Sequence, residues 1–397
     1  MFLHRLDGSW LNSPFWRRAF VIEDDADLHS LKTSGIQEVW IDIARGLDVA
    51  PPAEPIEMPP GDLEALAAPT TPPTAVAIVV PDDKPVPLHE ELERAREICE
   101  QGKERVASMF SEIRMGRAID AGGAVSLVNE IASSVARNPG ALIGMARLKT
   151  VDDYTYMHSV AVCGLMVALA TQIGLPPDEV REAGLGGLMH DVGKALMPLH
   201  VLNKPGSLSE AEFTVMKSHA EEGWRLLKNG GAVTPAVQSV ALHHHERFDG
   251  SGYPARLAGE AISLHARMGA ICDVYDAITS TRPYKSAWDP AHAVRQMARW
   301  KGHFDPTLFQ AFIRSLGIYP IGSLVQLESG FLAVVCEQNT DTLLTPVVKA
   351  FYSMKSGARI EPRRLDLGQA GGADRIASVE DPARWSFGNL DALWIEG

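Results

Sequence analysis

The spacing of apolar and polar residues changes along the chain, and each change predicts a different kind of structure. Residues 1–50 carry short alternating runs of bulky apolar side chains, such as 39–43, separated by turn residues, which is typical of strands. From 88 to 316 the apolar residues recur at helical spacing, and short alternating runs return at 323–327 and 331–335. These patterns predict a mainly α-helical chain, in which an all-α central domain lies between two β-rich segments.

Proline separates the first segment from the helical one. Eleven of the 26 prolines fall between residues 51 and 87, and a proline-rich stretch of this kind is typical of a linker. We therefore predict four parts. They are a small β-rich N-terminal module (1–50), a Pro-rich linker (51–87), a helical domain (88–316, with its motifs in 152–316) and a short β-rich C-terminal tail (317–397).

Local signals predict where some helices begin and end. Ser209 with Glu212 forms the pattern of a capping box, and the glycines after Asn229 are typical of a helix end. We expect one helix between these signals. Thr234 followed by Pro235 predicts the start of the next helix.

Charge and composition exclude several classes of protein. With 50 acidic and 37 basic side chains the net charge is −13, which argues against binding a nucleic acid duplex. The longest apolar run, Val160–Ala170, is shorter than the ~20 residues that span a bilayer. The N-terminus has no pattern of a cleaved leader, and the four cysteines form no C-x-x-C pair. We expect a cytoplasmic protein with reduced thiols and no membrane span.

Histidine is concentrated in the helical domain, where ten of the 13 lie between residues 158 and 303. A single histidine on a helix is more often structural than a ligand, but the adjacent pair His190–Asp191 before Gly193 lies where a helix ends, so both side chains can reach one cation. Imidazoles with carboxylates and no thiolate favour Fe or Mn, with Zn, Ni and Mg as alternatives. Seven candidate ligands exceed the needs of one ion and suggest two. They are His158, His190, Asp191, His219, His244, His245 and Asp273.

Several motifs in one order resemble those of a known family. His190-Asp191-x-Gly-Lys and the stretch 244–254, which reads His-His-Glu-Arg-Phe-Asp-Gly-Ser-Gly-Tyr-Pro, are followed by 272–277 and by Arg-Pro-Tyr-Lys at 282–285. This series resembles the HD-GYP family of cyclic di-GMP phosphodiesterases, a branch of the HD-domain metal-dependent phosphohydrolases, from about residue 152 to 316. The N-terminal part resembles a small domain of unknown function often fused ahead of it.

The resemblance implies a particular set of metal ligands. His158, His190, Asp191 and Asp273 would bind one ion, and Asp191 would bridge to a second ion bound by His219, His244 and His245. Members with a third ion use a glutamate four residues before the first histidine. Here that position is Tyr154, a poor ligand at neutral pH, so we expect a binuclear centre.

The resemblance also implies how the substrate is bound. Lys194 would contact the scissile phosphate or the leaving oxygen, and Arg282 with Lys285 would hold the second phosphate. The alternatives are an exposed lysine after a helix and a solvated turn. Tyr253 either stacks on a guanine or braces its loop.

The implied function is metal-dependent hydrolysis of cyclic di-GMP to pGpG, GMP or both, with a bridging hydroxide as nucleophile, which would favour bacterial motility over biofilm. Two alternatives are a catalytically weak effector that binds cyclic di-GMP or a diguanylate cyclase (GGDEF) protein, and a hydrolase of another cyclic dinucleotide. The helical stretch Leu92–Met115 fits a homodimer interface or packing within the chain equally well.

Overall fold

The computed structural model describes three strands near the N-terminus and most of the chain after residue 83. The described ranges are Phe2–Leu6, Phe20–Val21, Val39–Ile41, 84–149, 154–204, 206–231, 233–281, 287–339, 342–369 and 374–395. The chain divides into two compact units, Met1–Pro59 and Pro60–Gly397. We describe each unit by itself.

The first unit contains a small antiparallel sheet. Its central strand β1 (Phe2–Leu6) pairs on one side with β2 (Phe20–Val21) and on the other with β3 (Val39–Ile41). The β-rich character predicted for the whole of 1–50 stays a prediction, because most of that segment lies outside the described residues. The same holds for most of the predicted linker.

The second unit is mainly helical, as the sequence predicts. Its helices are α1 (Leu88–Arg114), α2 (Ala121–Arg137), α3 (Pro139–Arg147), α4 (Tyr154–Gln172), α5 (Pro177–Met189), α6 (Leu199–Leu202), α7 (Glu210–Lys217), α8 (His219–Gly230), α9 (Pro235–His243), α10 (Leu264–Thr279), α11 (Pro290–Arg299), α12 (Pro306–Leu316) and α13 (Ala392–Ile395). Short 3-10 turns occur at Val192–Leu196, Gly259–Ala261 and Pro382–Arg384. The apolar face of α1, including Leu92, Val106 and Phe110, is buried in the core of this unit.

Helix α4 lies at the centre of the core. Its residues from Val160 to Ala170 are all buried, because apolar side chains occur on every face of the helix. Helix α5 approaches it closely at Gly187, where an added Cβ would lie 2.8 Å from the Val162 carbonyl oxygen. This contact brings His190, which follows α5, beside His158 on α4.

Helix α4 also bears on the question of a membrane span. Within the part of the chain that the structure describes, it is the one helix long and apolar enough to cross a membrane, and 78% of its most apolar window is buried inside the protein. Burial of this extent is typical of a core helix. The cytoplasmic location stays a prediction.

The capping box at Ser209 and Glu212 is confirmed, but the helix that it begins is shorter than we predict. Helix α7 ends at Lys217 and α8 starts at His219, where the sequence predicts one continuous helix. The Ser218 hydroxyl donates to the Val215 carbonyl at 2.7 Å, and such bonds to the preceding turn bend or interrupt helices. His219 therefore opens a helix. The predicted start of α9 at Pro235 is correct.

A five-stranded antiparallel sheet follows the helices, in the segment where the sequence predicts a short β-rich tail. Its strands are β4 (Leu324–Leu327), β5 (Phe331–Glu337), β6 (Val347–Ser353), β7 (Ala358–Asp366) and β8 (Ile376–Val379), in the order β7-β6-β5-β4-β8. The sheet shares one hydrophobic core with the helices, and the Asp289 carboxylate before α11 accepts a hydrogen bond from the Leu324 amide at 3.0 Å. The predicted domain boundaries themselves stay predictions.

Candidate metal centre

Five helices and the turns that follow two of them bring all seven predicted ligands together. Their side chains form overlapping triads whose ligand atoms lie within 4.8 Å of one another. His245 is partly exposed and the others are buried. The contributing positions are His158 on α4, His190 and Asp191 after α5, His219 at the start of α8, His244 and His245 after α9, and Asp273 on α10.

The first group of side chains surrounds the end of α5. The Nε2 atoms of His158 and His190 are 3.2 Å apart, and the Asp273 Oδ1 atom is 3.0 Å from His158 Nε2. The Asp191 Oδ2 atom is 3.2 Å from His190 Nε2. Two ligands bound to one cation at about 2.1 Å and at right angles are about 3 Å apart, so these separations fit a shared ion.

The second group lies on the other side of Asp191. His219 Nε2 is 3.3 Å from His244 Nε2 and 3.2 Å from His245 Nε2. The Asp191 Oδ1 atom is 3.3 Å from His219 Nε2. The two oxygens of Asp191 therefore face two different groups of imidazoles.

Hydrogen bonds at the opposite ring nitrogens fix how these imidazoles are protonated. The Nδ1 atoms of His190 and His219 donate to the carbonyls of Gly187 and Met216 at 2.7 and 2.6 Å, and His244 Nδ1 lies 3.0 Å from the Val240 carbonyl. A ring whose single proton is on Nδ1 presents a lone pair at Nε2. Facing lone pairs at about 3 Å repel one another, and a cation between them removes that repulsion.

Burial keeps several of these side chains in the form that binds metal. It lowers the pKa of His219 to about 4 and that of His245 to about 3, so both are neutral at pH 7. For Asp191, burial opposes ionisation, but His190 and Lys194 hold its pKa well below the usual range. Its Oδ1 atom is buried and has no hydrogen-bond partner among the described residues. An orphaned carboxylate oxygen among imidazole lone pairs fits a bound cation.

The turn after α5 brings Lys194 to the same place. A side chain at Gly193 would clash with the His219 carbonyl, so glycine lets the Val192–Leu196 turn pack directly on α8. The Lys194 ammonium pairs with the Asp191 carboxylate, and the lysine side chain is 21% exposed. It therefore reaches from solvent to the centre of the cluster.

A buried ion pair that sequence reasoning missed supports His158. The Asp276 carboxylate accepts from His158 Nδ1 at 2.6 Å and from the Lys149 ammonium at 2.5 Å. Asp276 follows Asp273 by three residues on α10, so helical spacing was a signal that both face one side. No such signal existed for Lys149, which lies 127 residues away.

Tyr154 is at the position where, by the resemblance, a tyrosine stands in place of a metal-binding glutamate. Its ring stacks on His158 with the centroids 5.5 Å apart and the planes inclined by 12°. The Lys149 ammonium lies 5.4 Å from the Tyr154 ring centroid. The Tyr154 ring therefore lies against the His158 imidazole and close to the Lys149 ammonium.

A cavity of about 660 Å³ opens beside His244 and His245, within the size range of small-molecule sites. Tyr253 lines it and stacks on His245, with the ring centroids 4.7 Å apart. The Glu246 carboxylate accepts from the amides of Ala255 and Leu257 at 2.7 and 3.2 Å. Glu246 therefore braces the loop that carries Tyr253. Arg282 and Lys285 lie outside the described residues.

Models of two protein families match the chain. A domain of unknown function (DUF3391) matches residues 1–124, and an HD domain matches residues 131–308. Together the two matches cover the candidate metal centre and the N-terminal unit.

Named relatives extend the similarity to almost the whole chain. The cyclic di-GMP phosphodiesterase PA4108 of Pseudomonas aeruginosa is 51% identical over 395 residues, which cover 99% of this chain and 92% of that protein. The cyclic di-GMP phosphodiesterase response regulator RpfG of Xanthomonas campestris is 45% identical over 38% of this chain and 40% of its own. The 3′3′-cGAMP-specific phosphodiesterase 1 of Vibrio cholerae is 36% identical over 44% of this chain and 41% of its own.

Proposed function

Because this chain belongs to the family of HD-domain cyclic di-GMP phosphodiesterases, we propose that it hydrolyses cyclic di-GMP to pGpG, GMP or both at a binuclear metal centre. One observation carries the proposal. The Nε2 atoms of buried imidazoles converge on the two oxygens of Asp191, whose Oδ1 atom has no hydrogen-bond partner among the described residues. Imidazole nitrogens and carboxylate oxygens are donors that divalent transition-metal ions prefer.

The two groups of side chains divide between two ions. We assign His158, His190 and Asp273 to the first ion and His219, His244 and His245 to the second. Asp191 contributes one oxygen to each, which its position between the groups supports. The donors are imidazole and carboxylate without thiolate, a set that favours Fe or Mn.

Two divalent ions at this place would neutralise the phosphoryl oxygens and supply a hydroxide nucleophile at neutral pH. The chain's own residues prepare for that chemistry. Hydrogen bonds to the carbonyls of Gly187 and Met216 hold the rings of His190 and His219 in one orientation. Lys194, partly exposed next to Asp191, is placed to contact the scissile phosphate or to stabilise the leaving oxygen.

The cavity supplies the rest of the substrate site in this proposal. Tyr253 contributes a ring beside His245, and its half-buried phenol stays protonated because desolvation raises its pKa. It therefore acts through stacking and hydrogen bonding rather than as a base. Arg282 and Lys285 keep the role of holding the second phosphate, by resemblance to the family.

The test is anaerobic turnover of cyclic di-GMP by the purified protein loaded separately with Fe(II) and Mn(II), together with metal counting. We expect pGpG or GMP and about two metal ions per chain. Tight binding of cyclic di-GMP without product under each metal would overturn the proposal and favour the effector alternative.

A second candidate substrate follows from the relatives. The Vibrio cholerae relative named a 3′3′-cGAMP-specific phosphodiesterase is 36% identical over 44% of this chain, so base selectivity varies among similar domains. Turnover of 3′3′-cGAMP in parallel, at equal metal loading, distinguishes the two substrates.

A further inference from the structure

Two side chains of α7 face the cavity beside the candidate metal centre. Phe213 and Lys217 both line it, and because they are four residues apart they share one face of the helix. The Lys217 ammonium lies 5.1 Å from the centroid of the Phe213 ring and 5.9 Å from that of the Tyr253 ring. Two aromatic rings therefore hold this ammonium at the cavity wall.

The charge of Lys217 is directed at the cavity rather than at a neighbouring acid. Among the described residues, no carboxylate forms an ion pair with Lys217. Glu221 also lines the cavity, but it accepts from Arg225 at 3.1 Å. Phe213 is 48% exposed, so its ring is accessible to a base that enters the cavity.

This wall has the chemistry to read a purine base. Guanine presents two acceptors, O6 and N7, on one edge, and lysine is a common partner of that pair. Adenine presents an amino donor at the equivalent of O6, which an ammonium cannot accept from. A flat aromatic face beside the cation adds a stacking surface.

We propose that Lys217, held between Phe213 and Tyr253, selects guanine over adenine in the bound cyclic dinucleotide. The inference rests on the proposed function, because it names the base recognised at that same site. Tyr253 connects the cavity wall with the candidate metal centre, since its ring stacks on His245 and its centroid lies 5.9 Å from the Lys217 ammonium. Lys217 is thus a specificity-determining residue at the entrance to the metal centre.

The variant Lys217→Met tests the inference, because it keeps the length of the side chain and removes its charge. The matched control is Lys228→Met, since Lys228 lies 4.6 Å from the ring centroid of Trp224, four residues earlier. That pair repeats the same local contact on α8, but neither residue lines the cavity. Both variants are compared with the wild type in kcat/KM and dissociation constant for cyclic di-GMP and cyclic di-AMP.

We expect Lys217→Met to reduce the preference for cyclic di-GMP over cyclic di-AMP about tenfold, mainly through KM. Lys217→Arg, which retains donors, should keep most of the preference, and Lys228→Met should keep all of it. An equal loss for both dinucleotides would overturn the inference, because it indicates a contact with phosphate. An unchanged preference would overturn it as well.

Bis(p-nitrophenyl) phosphate separates this outcome from a failure of the proposed function, because it carries no base. If the wild type hydrolyses it but no cyclic dinucleotide, the proposed function fails. The base preference is then judged from the dissociation constants alone. An equal loss of affinity for cyclic di-GMP and cyclic di-AMP in Lys217→Met would again overturn the inference. Thermal unfolding midpoints of the two methionine variants show whether folding differs between them.

Discussion

The candidate metal centre and the cavity wall beside it are built in opposite ways. In the metal centre, His190, His219 and His244 are buried, and each Nδ1 atom is bonded to a carbonyl of the preceding helical turn. At the wall, Phe213 is exposed and belongs to α7, a helix of eight residues with no buried side chain. The histidines are therefore held by the hydrophobic core, whereas α7 lies on the surface of that core.

This difference suggests a division between chemistry and selectivity. Ligands that must meet a metal within a few tenths of an ångström gain from burial and from second hydrogen bonds. Side chains that choose between bases need only present charge and an aromatic face. Substitutions in the first region should therefore remove turnover, and those in the second should change which substrate is preferred.

The largest effect is expected from His244→Ala, because it removes an imidazole that faces Asp191. Its neighbour His243 provides the control, since His243 Nδ1 lies 3.3 Å from the Ser239 hydroxyl and the residue belongs to none of the ligand triads. We expect His244→Ala to lower turnover by more than the roughly 10- to 100-fold typical of residues that only orient ligands. His243→Ala should retain turnover and metal.

Metal counting and circular dichroism complete this test. The His244→Ala protein should stay helical and bind less than the wild-type amount of metal. A loss of helicity as large as the loss of turnover would instead give the metal a structural role.

A smaller effect is expected from Asp276→Asn, because Asp276 reaches the metal centre only through His158. We expect metal affinity to fall about 10- to 100-fold, with kcat recovering at high metal concentration. If Asp276 were itself a metal ligand, kcat would not recover at high metal concentration. The measurement is a metal titration followed by turnover.

The partner Lys149 needs its own control, because Asp276→Asn leaves a buried ammonium without its carboxylate, which destabilises a fold strongly. The double variant Lys149→Met with Asp276→Asn removes both charges. If its metal affinity equals that of the wild type, the ion pair serves the fold and does not position His158.

The sequence was sufficient for the parts of the structure that depend on local pattern. The helical run to Leu316, the β-rich character of the tail after it and the capping box of α7 all follow from periodicity and short motifs. The break at Ser218 did not, because a serine in a helix bonds either to its own turn or elsewhere, and the sequence does not distinguish the two.

The same limit applies within the candidate site. Adjacent histidines and the HD pair marked the candidate ligands, since the resemblance gave their order. The contact of Lys149 with Asp276 joins residues 127 positions apart, and a tertiary contact of that kind leaves no local pattern. In the sequence, Lys217 was an ordinary lysine inside a predicted helix, and only the structure places its ammonium near the rings of Phe213 and Tyr253.

The smallest effect is expected at the N-terminus of α7, the helix that carries Phe213 and Lys217. Glu212, in the first turn of α7, accepts from the Ser209 amide at 2.7 Å and from the Lys204 ammonium at 2.6 Å. The Lys204 ammonium and the Ser209 bonds lower the pKa of Glu212 from 4.5 to about 2. Because the folded-state pKa is the lower one, this carboxylate stabilises α7 above pH 4.5 and loses that effect as the pH falls toward 2.

Amide hydrogen exchange over α7 should therefore be faster in Glu212→Gln than in the wild type at pH 6, and the difference should shrink below pH 4.5. Glu210→Gln changes the same charge in the same turn without the capping bonds, so it should exchange almost as the wild type does. Exchange around His190 and His244 should not change in either variant, because those residues belong to the core. If loosening α7 also speeds exchange there, the wall and the metal centre form one cooperative unit, and selectivity cannot be altered without disturbing the chemistry.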